Sequence, residues 1–210
     1  QHVGRKVTAT ISGMDQPLGM YIGNSLEVME AMEVLKGNVK GALLEVSLLL
    51  GAHMLLLAGR VQTEAEGKAL LQQQIDNGAG IAKFRELLIQ QGGNPAIIEQ
   101  PDLLPLSPCS LEVRAEKSGY LTHMDTAKIG RASQETGAGR AFKEQPLDFG
   151  AGIITKKRLG DYVEAGEVLA VIYSAKDEAC ASAAEIFQSA LTISAEKAPL
   201  PPLVLNIISA

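Results

Sequence analysis

The segment from Asn94 to Pro108 is the feature that most restricts how this chain can fold, because it places four prolines within fifteen residues. Proline lacks a backbone N–H and disfavours helical geometry in the residue before it, so a long helix or a central strand does not pass through this segment. Helical spacing of apolar residues dominates before it, and strand-like runs dominate after it. We therefore predict a boundary here, with one domain over residues 1–106 and a second over 107–210.

The first region predicts one strand followed by four helices. The expected strand covers residues 5–12, and the expected helices cover about 24–36, 41–58, 63–78 and 80–91. Two of these helices begin with the spacing of a capping box, Asn24 with Glu27 and Thr63 with Glu66. The chain starts at a strand without a methionine, so we expect it to be part of a longer protein.

The second region predicts an α+β module of about a hundred residues, a usual domain size. The expected helices cover about 125–134 and 177–192. Strand-like runs, separated by glycine turns, lie at 111–115, 120–123, 153–157, 168–173 and 203–208. The whole chain is therefore predicted to be a mixed α/β protein.

Composition excludes several classes of function. A net charge of −5 and a pI near 5.3 argue against a nucleic-acid-binding or anionic-membrane surface. The densest basic run, Lys156 to Arg158, is expected on a solvated face at the end of a strand. Cys109 and Cys180 form no spacing pattern, which favours buried or half-buried thiols in a reducing cytoplasm, although a disulfide between them stays open. With three histidines and no His/Cys cluster, a zinc site is not expected.

The apolar stretch from Gly41 to Gly59 raises the question of a membrane span. Glu45 and His53 lie inside it, and both penalise insertion into lipid. We therefore interpret it as a core helix, with His53 as a histidine satisfied by neighbouring groups.

Motifs that carry chemistry are few. The glycine-rich segments 137–141 and 150–153 complete no phosphate-binding pattern and are interpreted as turns. Residues 159–172 have the cadence of biotinyl and lipoyl carrier hairpins, with Val163 and Leu169 expected in a core. The companion segment 118–125 contains no lysine to bear a cofactor, so a carrier function is not expected. No histidine or serine completes a catalytic triad.

Several motifs, taken together and in order, resemble the pyrimidine-nucleoside phosphorylases, the family that includes thymidine phosphorylase. The resemblance covers essentially the whole chain. Its motifs are "MDQPLGMYIGNSLEVMEAMEVLKG", "GAHMLLLAG", "GGNPAIIEQPDLLP", "SGYLTHMDTAKIG", "GAGRAFKEQPLDFGAGI" and "GDYVEAGEVLAVIYS".

The resemblance implies the C-terminal half of such an enzyme. Residues 1–106 would be the end of the large α/β domain, and residues 107–210 the family's C-terminal α/β-hammerhead domain. The full-length parent would be a cytoplasmic pentosyltransferase that cleaves pyrimidine nucleosides with phosphate, releasing the base and a (deoxy)ribose 1-phosphate. Its homodimer would form through an N-terminal helical domain.

The phosphate loop and the pyrimidine-binding residues of the family have no counterpart in this sequence. We therefore expect the chain alone to be inactive, with no catalytic or substrate-binding residue of its own and no organic cofactor. The alternative is a non-catalytic scaffold or assembly module that lacks the catalytic half. Neither hypothesis involves a nucleic acid or a membrane.

The resemblance also implies a metal site in the loop before the first helix. The backbone carbonyls of Leu18 and Tyr21 and the carboxylate of Glu30 would form an all-oxygen half-cage with one negative charge. That charge suits a weakly held monovalent cation such as potassium, although oxygen ligands also admit calcium. Tyr21 stands where the family usually has a small residue. The alternative is that Glu30 is an ordinary solvated helix residue.

Overall fold

The computed structural model describes Gly4 and residues 6–209, so Arg5 of the predicted first strand lies outside the described residues. The helices are α1 (Asn24–Leu35), α2 (Ala42–Leu57), α3 (Glu64–Asp76), α4 (Ala79–Gln90), α5 (Thr126–Glu135) and α6 (Asp177–Ser189). The strands are β1 (Thr8–Ser12), β2 (Tyr21–Ile22), β3 (Cys109–Arg114), β4 (Gly119–Met124), β5 (Gly152–Thr155), β6 (Tyr162–Val163), β7 (Val168–Ser174), β8 (Leu191–Ser194) and β9 (Val204–Ser209). The predicted mixed α/β class is confirmed.

The proline-rich segment contains two short 3-10 turns, Pro95–Ile98 and Pro101–Leu103. No longer element passes through it, as the prolines require. The chain forms two compact units, and each is assembled from separate stretches of sequence. One comprises residues 6–13, 31–98 and 202–209, and the other comprises 14–30 and 99–201. The division into sequence domains near residue 106 stays a prediction.

The first unit contains a helical layer and a strand pair. In the strand pair, β1 runs antiparallel to β9, from Thr8 opposite Ser209 to Ser12 opposite Val204. In the helical layer, α2 packs closely against α3 because Gly67 has no side chain. A Cβ atom at Gly67 would lie 2.8 Å from the Cβ atom of Ala52.

The apolar helix α2 buries one face within the first unit. Its buried residues are Val46, Leu49, Ala52 and His53. In the part of the chain that the structure describes, no helix is long and apolar enough to span a membrane.

The second unit contains two antiparallel sheets with the strand orders β2-β5-β7-β3 and β6-β4-β8. Helices α5 and α6 pack against each other, and α6 also contacts β3 and β7. The largest side chains of its core are fully buried: Leu121, Ile129, Ile153, Val163, Leu169, Ile172 and Phe187.

The carrier-like segment 159–172 folds differently from a hairpin. Val163 and Leu169 are both buried, as predicted. The two strands do not pair with each other, however, because β6 pairs with β4 and β7 pairs with β5 and β3. The turn between them therefore connects two sheets, and the likeness to a carrier hairpin is limited to sequence cadence.

Gly152 controls the contact between β2 and β5. Its φ of 151° is rarely adopted by residues with a side chain, and a Cβ atom there would lie 2.1 Å from the carbonyl oxygen of Ile22. Gly130, inside α5, has no neighbouring atom within 4 Å of its Cβ position.

We expect Gly152→Ala to lower the free energy of unfolding by about 2 kcal/mol or more, because backbone must move to admit the methyl group. The control Gly130→Ala is expected to be neutral or to stabilise α5 by up to about 1 kcal/mol. Urea denaturation followed by circular dichroism measures both. Equal effects of the two substitutions would contradict the tight approach at Gly152.

Candidate functional site

The loop from Met14 to Gly23 turns directly into α1, and the helix start differs slightly from the predicted capping box. Glu27 Oε1 accepts a hydrogen bond from the N–H of Gly23 at 3.1 Å, so this side chain does reach back. Gly23, with a φ of 136°, accepts the first helical hydrogen bond through its carbonyl. Asn24 instead donates from Nδ2 to the carbonyl of Ala138 at 3.1 Å. The cap therefore lies one residue earlier than predicted.

Glu30 lies one turn further along α1 and is buried, with 6% of its surface exposed. Its Oε1 atom accepts a hydrogen bond from the N–H of Met20 at 2.7 Å, and its Oε2 atom accepts one from the N–H of Tyr21 at 3.3 Å. Gly19 allows this approach, because a Cβ atom there would lie 2.2 Å from Glu30 Oε2. The interpretation of Glu30 as a solvated helix residue is therefore wrong.

Arg158 also contacts this loop. Its Nη2 atom donates to the carbonyl of Pro17 at 3.0 Å, and its Nη1 atom donates to the carbonyl of Leu18 at 3.2 Å. Burial lowers the pKa of Arg158, while the negative charges of Glu30 and Asp161 raise it. The expectation that the basic run is entirely solvated is wrong at this residue, which is only partly exposed.

Thr155, at the end of β5, holds the loop at a third point. Its N–H and its hydroxyl group both donate to the carbonyl of Met20, at 2.8 and 2.9 Å. The backbone between Pro17 and Tyr21 is therefore fixed by a carboxylate, a guanidinium and a threonine. Such an arrangement can present backbone oxygens in a defined geometry.

The three predicted cation ligands lie in this arrangement with different surroundings. Glu30 is a buried carboxylate beside the Met20–Tyr21 backbone, which suits a ligand to a hard cation. The carbonyl of Leu18 already accepts a hydrogen bond from Arg158. Among the residues that the structure describes, no group of three or more His, Cys, Asp or Glu side chains is arranged to hold a metal ion. A cation at Leu18, Tyr21 and Glu30 stays a prediction.

A cavity of about 360 Å³ lies beside the start of α1 in the second unit. Gly23, Asn24 and Glu27 form one side of it, and Arg131 and Arg140 contribute positive charge. Part of its wall is the glycine-rich segment 137–141, where Gly137 has a φ of 101°. The interpretation of that segment as a turn is compatible with this backbone.

His53 and His123 are two further candidate residues. His53 lies 3.4 Å from the hydroxyl of Thr10 through Nδ1 and 3.2 Å from Glu64 through Nε2, so it is satisfied, as predicted. Lys68 chiefly, and then His53, lower the pKa of Glu64. His123 is exposed on β4.

The two cysteines are free thiols, Cys180 buried and Cys109 half-buried, as predicted. Burial chiefly raises the pKa of Cys180, and a hydrogen bond with Asp177 chiefly raises that of Cys109. A raised pKa reduces the thiolate fraction, so neither thiol is activated as a nucleophile.

Sequence reasoning missed the contributions of Arg158 and Thr155. A resemblance pointed to Glu30, whereas Arg158 was noticed only as part of a basic run. The partners of both missed residues are backbone carbonyls more than 130 positions away in the chain. No local sequence pattern signals such contacts.

Comparison with known proteins places these features in a family. The family model described as "Glycosyl transferase family, a/b domain" matches residues 1–81, and that described as "Pyrimidine nucleoside phosphorylase C-terminal domain" matches residues 120–194. The pyrimidine-nucleoside phosphorylase of Staphylococcus aureus strain bovine RF122 / ET3-1 is 41% identical over 208 residues, which is 99% of this chain and 48% of that protein.

Proteins of the same name from two further strains agree. The USA300 protein is 40% identical over 208 residues, covering 99% of this chain and 48% of its own length. The MW2 protein is 41% identical over 207 residues, covering 99% and 47%. The chain thus spans about half the length of the curated relatives that it matches. With both family matches in one chain and this identity along nearly all of it, the chain belongs to the pyrimidine-nucleoside phosphorylase family.

Proposed function

We propose that this chain is the C-terminal half of a pyrimidine-nucleoside phosphorylase. The full-length form would catalyse the reversible phosphorolysis of pyrimidine nucleosides to free base and (deoxy)ribose 1-phosphate. The observation that carries this proposal is the 41% identity over 99% of the chain to a relative of that name, of which the chain spans 48%. The proposed substrates are phosphate and a pyrimidine nucleoside.

We further propose that this half acts as scaffold. Phosphorolysis needs a cationic, amide-rich clamp for phosphate and hydrogen bonds that stabilise charge on the leaving base. Glu30 and Arg158 do not fit those roles, because both already bind backbone groups of the loop. The homodimer and the cytoplasmic location expected from the family belong to the same proposal.

A monovalent cation, potassium in the first instance, is proposed at Leu18, Tyr21 and Glu30. The buried carboxylate of Glu30 supports it, since a single negative charge among carbonyl oxygens suits a weakly held cation. The chain's contribution would be the position of these oxygens. The ion would supply a positive charge that supports the loop and would take no part in bond breaking.

One prediction of this proposal concerns activity. The 210-residue chain alone is expected to release no thymine from thymidine and no uracil from uridine, because the family's phosphate loop has no counterpart in its sequence. The full-length protein is expected to release at least one of these bases only when phosphate is added. Chromatography of the free base measures both.

Phosphate-dependent release by the chain alone would contradict its role as scaffold. A correctly folded full-length protein that cleaves neither nucleoside would contradict the proposed reaction and would favour a non-catalytic assembly module.

Another prediction of this proposal concerns the cation. In the full-length protein, Glu30→Gln is expected to reduce the stimulation of turnover by potassium several-fold, because the charged ligand is lost. Glu33→Gln is a matched control on the same helix, since Glu33 pairs with Lys36 at the surface. Turnover in potassium chloride is compared with turnover in choline chloride, and circular dichroism checks the fold. Unchanged potassium stimulation in Glu30→Gln would remove Glu30 from the site.

A further inference from the structure

The strand pair β1–β9 of the first unit has one face against helix α2 and an opposite face that is exposed. The hydroxyl of Thr10 lies 3.4 Å from Nδ1 of His53, a buried residue of α2, so Thr10 is on the face that meets this helix. Successive side chains of a strand point to opposite faces. Ala9 and Ile11 therefore point away from α2, and both are exposed.

The register of the pair extends this exposed face onto β9. Ala9 lies opposite Ile208 and Ile11 lies opposite Asn206, and residues directly opposite each other in an antiparallel pair share a face. We call the face formed by these four residues the outward face. Ile11 is 44% exposed and Ile208 is 52% exposed. A sheet face that meets water usually carries polar side chains, so the apolar residues here are typical of a sheet that is covered on both faces.

The edges of the pair are open as well. Among the strands that the structure describes, β1 pairs only with β9, and β9 pairs only with β1. An open edge presents backbone N–H and C=O groups to which a further strand can bond. The pair is therefore suited to be the border of a larger sheet.

The comparison with known proteins indicates where the rest of that sheet lies. The family model of an a/b domain matches residues 1–81, and the described strands in that range are β1 and β2. Strand β2 pairs with β5 in a different sheet, so the match contributes one strand, β1, to the sheet of the first unit. An α/β domain needs several strands with helices on both faces. This chain spans 48% of the length of its Staphylococcus aureus relative, so the other half is the expected source of those strands and helices.

We propose that the β1–β9 pair is the docking surface for the other half of the full-length protein. That half adds a strand to an open edge of the pair and covers the outward face with apolar side chains. The inference rests on the proposed function in one respect, that this chain is half of a longer protein, and it does not depend on the reaction. The competing occupant is a second copy of this chain.

Hydrogen exchange followed by mass spectrometry tests the edges. Exchange of residues 7–12 is compared between the 210-residue chain and the full-length protein. The amides of β1 that point away from β9 are expected to exchange about ten-fold or more slowly in the full-length protein, because a neighbouring strand then accepts their hydrogen bonds. Strand β4 is the internal control, since it already has a partner on each side, and its exchange is expected to change much less.

The substitution Ile11→Thr tests the outward face. In the 210-residue chain it is expected to shift the thermal unfolding midpoint by less than about 1 °C, because the side chain is largely exposed. In the full-length protein it is expected to lower the midpoint by about 2 °C or more, because the side chain is buried there. Leu111→Thr is the matched control at a 40% exposed position on β3, and it is expected to have little effect in either protein.

Three results would overturn the proposal. The first is equal exchange of residues 7–12 in the two proteins, and the second is an equal effect of Ile11→Thr on both. The third is a 210-residue chain that sediments as a dimer and already protects residues 7–12, since a second copy then occupies the surface.

The exchange measurement needs no substitution, so it decides the question even where Ile11→Thr prevents the full-length protein from folding. Neither measurement involves turnover. Failure of this inference is therefore distinguishable from failure of the proposed reaction, which is a folded full-length protein that cleaves neither nucleoside.

Discussion

The buried carboxylate of Glu30 is the interaction on which the geometry of the candidate site depends. Because a carboxylate without hydrogen-bond donors is costly to bury, the N–H groups of Met20 and Tyr21 must face it. That orientation leaves the carbonyl of Met20 to accept from Thr155, at the end of β5. The pairing of the short strand β2 with β5 is consistent with this contact between Met20 and Thr155. Gly19 is required in the loop because a side chain there would collide with the carboxylate of Glu30.

The helices were predictable from sequence because their signals are local. At α3 the hydroxyl of Thr63 accepts from the N–H of Glu66, as the predicted capping box requires. The carboxylate of Glu66 accepts from the N–H of Gln62, one residue before the expected partner Thr63. The short strands β2 and β8 were not predicted, and β6 was predicted only as one strand of the carrier-like hairpin, because two to four residues carry too little periodicity. Their pairing partners lie far away in the chain, as with Tyr21 opposite Ile154. Long-range pairing also explains why the strands around residue 165 join two sheets.

The candidate site was predictable only in part, for a related reason. Family resemblance pointed to Glu30, and the structure shows its carboxylate buried against the backbone of Met20 and Tyr21. The contribution of Arg158 was hidden because its partners are carbonyl groups, which every residue possesses. A sequence records which side chains are available, but it does not record which backbone oxygens a fold leaves unpaired. A basic residue beside the end of a strand can therefore be either a solvated charge or a support for a loop, and the sequence alone does not distinguish these two roles.

The same hydrogen bonds limit the chemistry that these residues can perform. A general acid or base must exchange a proton with substrate, and a phosphate clamp must offer donors that are not already engaged. Both oxygens of Glu30 accept backbone N–H groups, and the terminal nitrogens of Arg158 donate to backbone carbonyls. Groups held in this way fix the position of a loop. Their arrangement agrees with the proposed role of a scaffold, in which these residues hold a loop in place for chemistry performed by other groups.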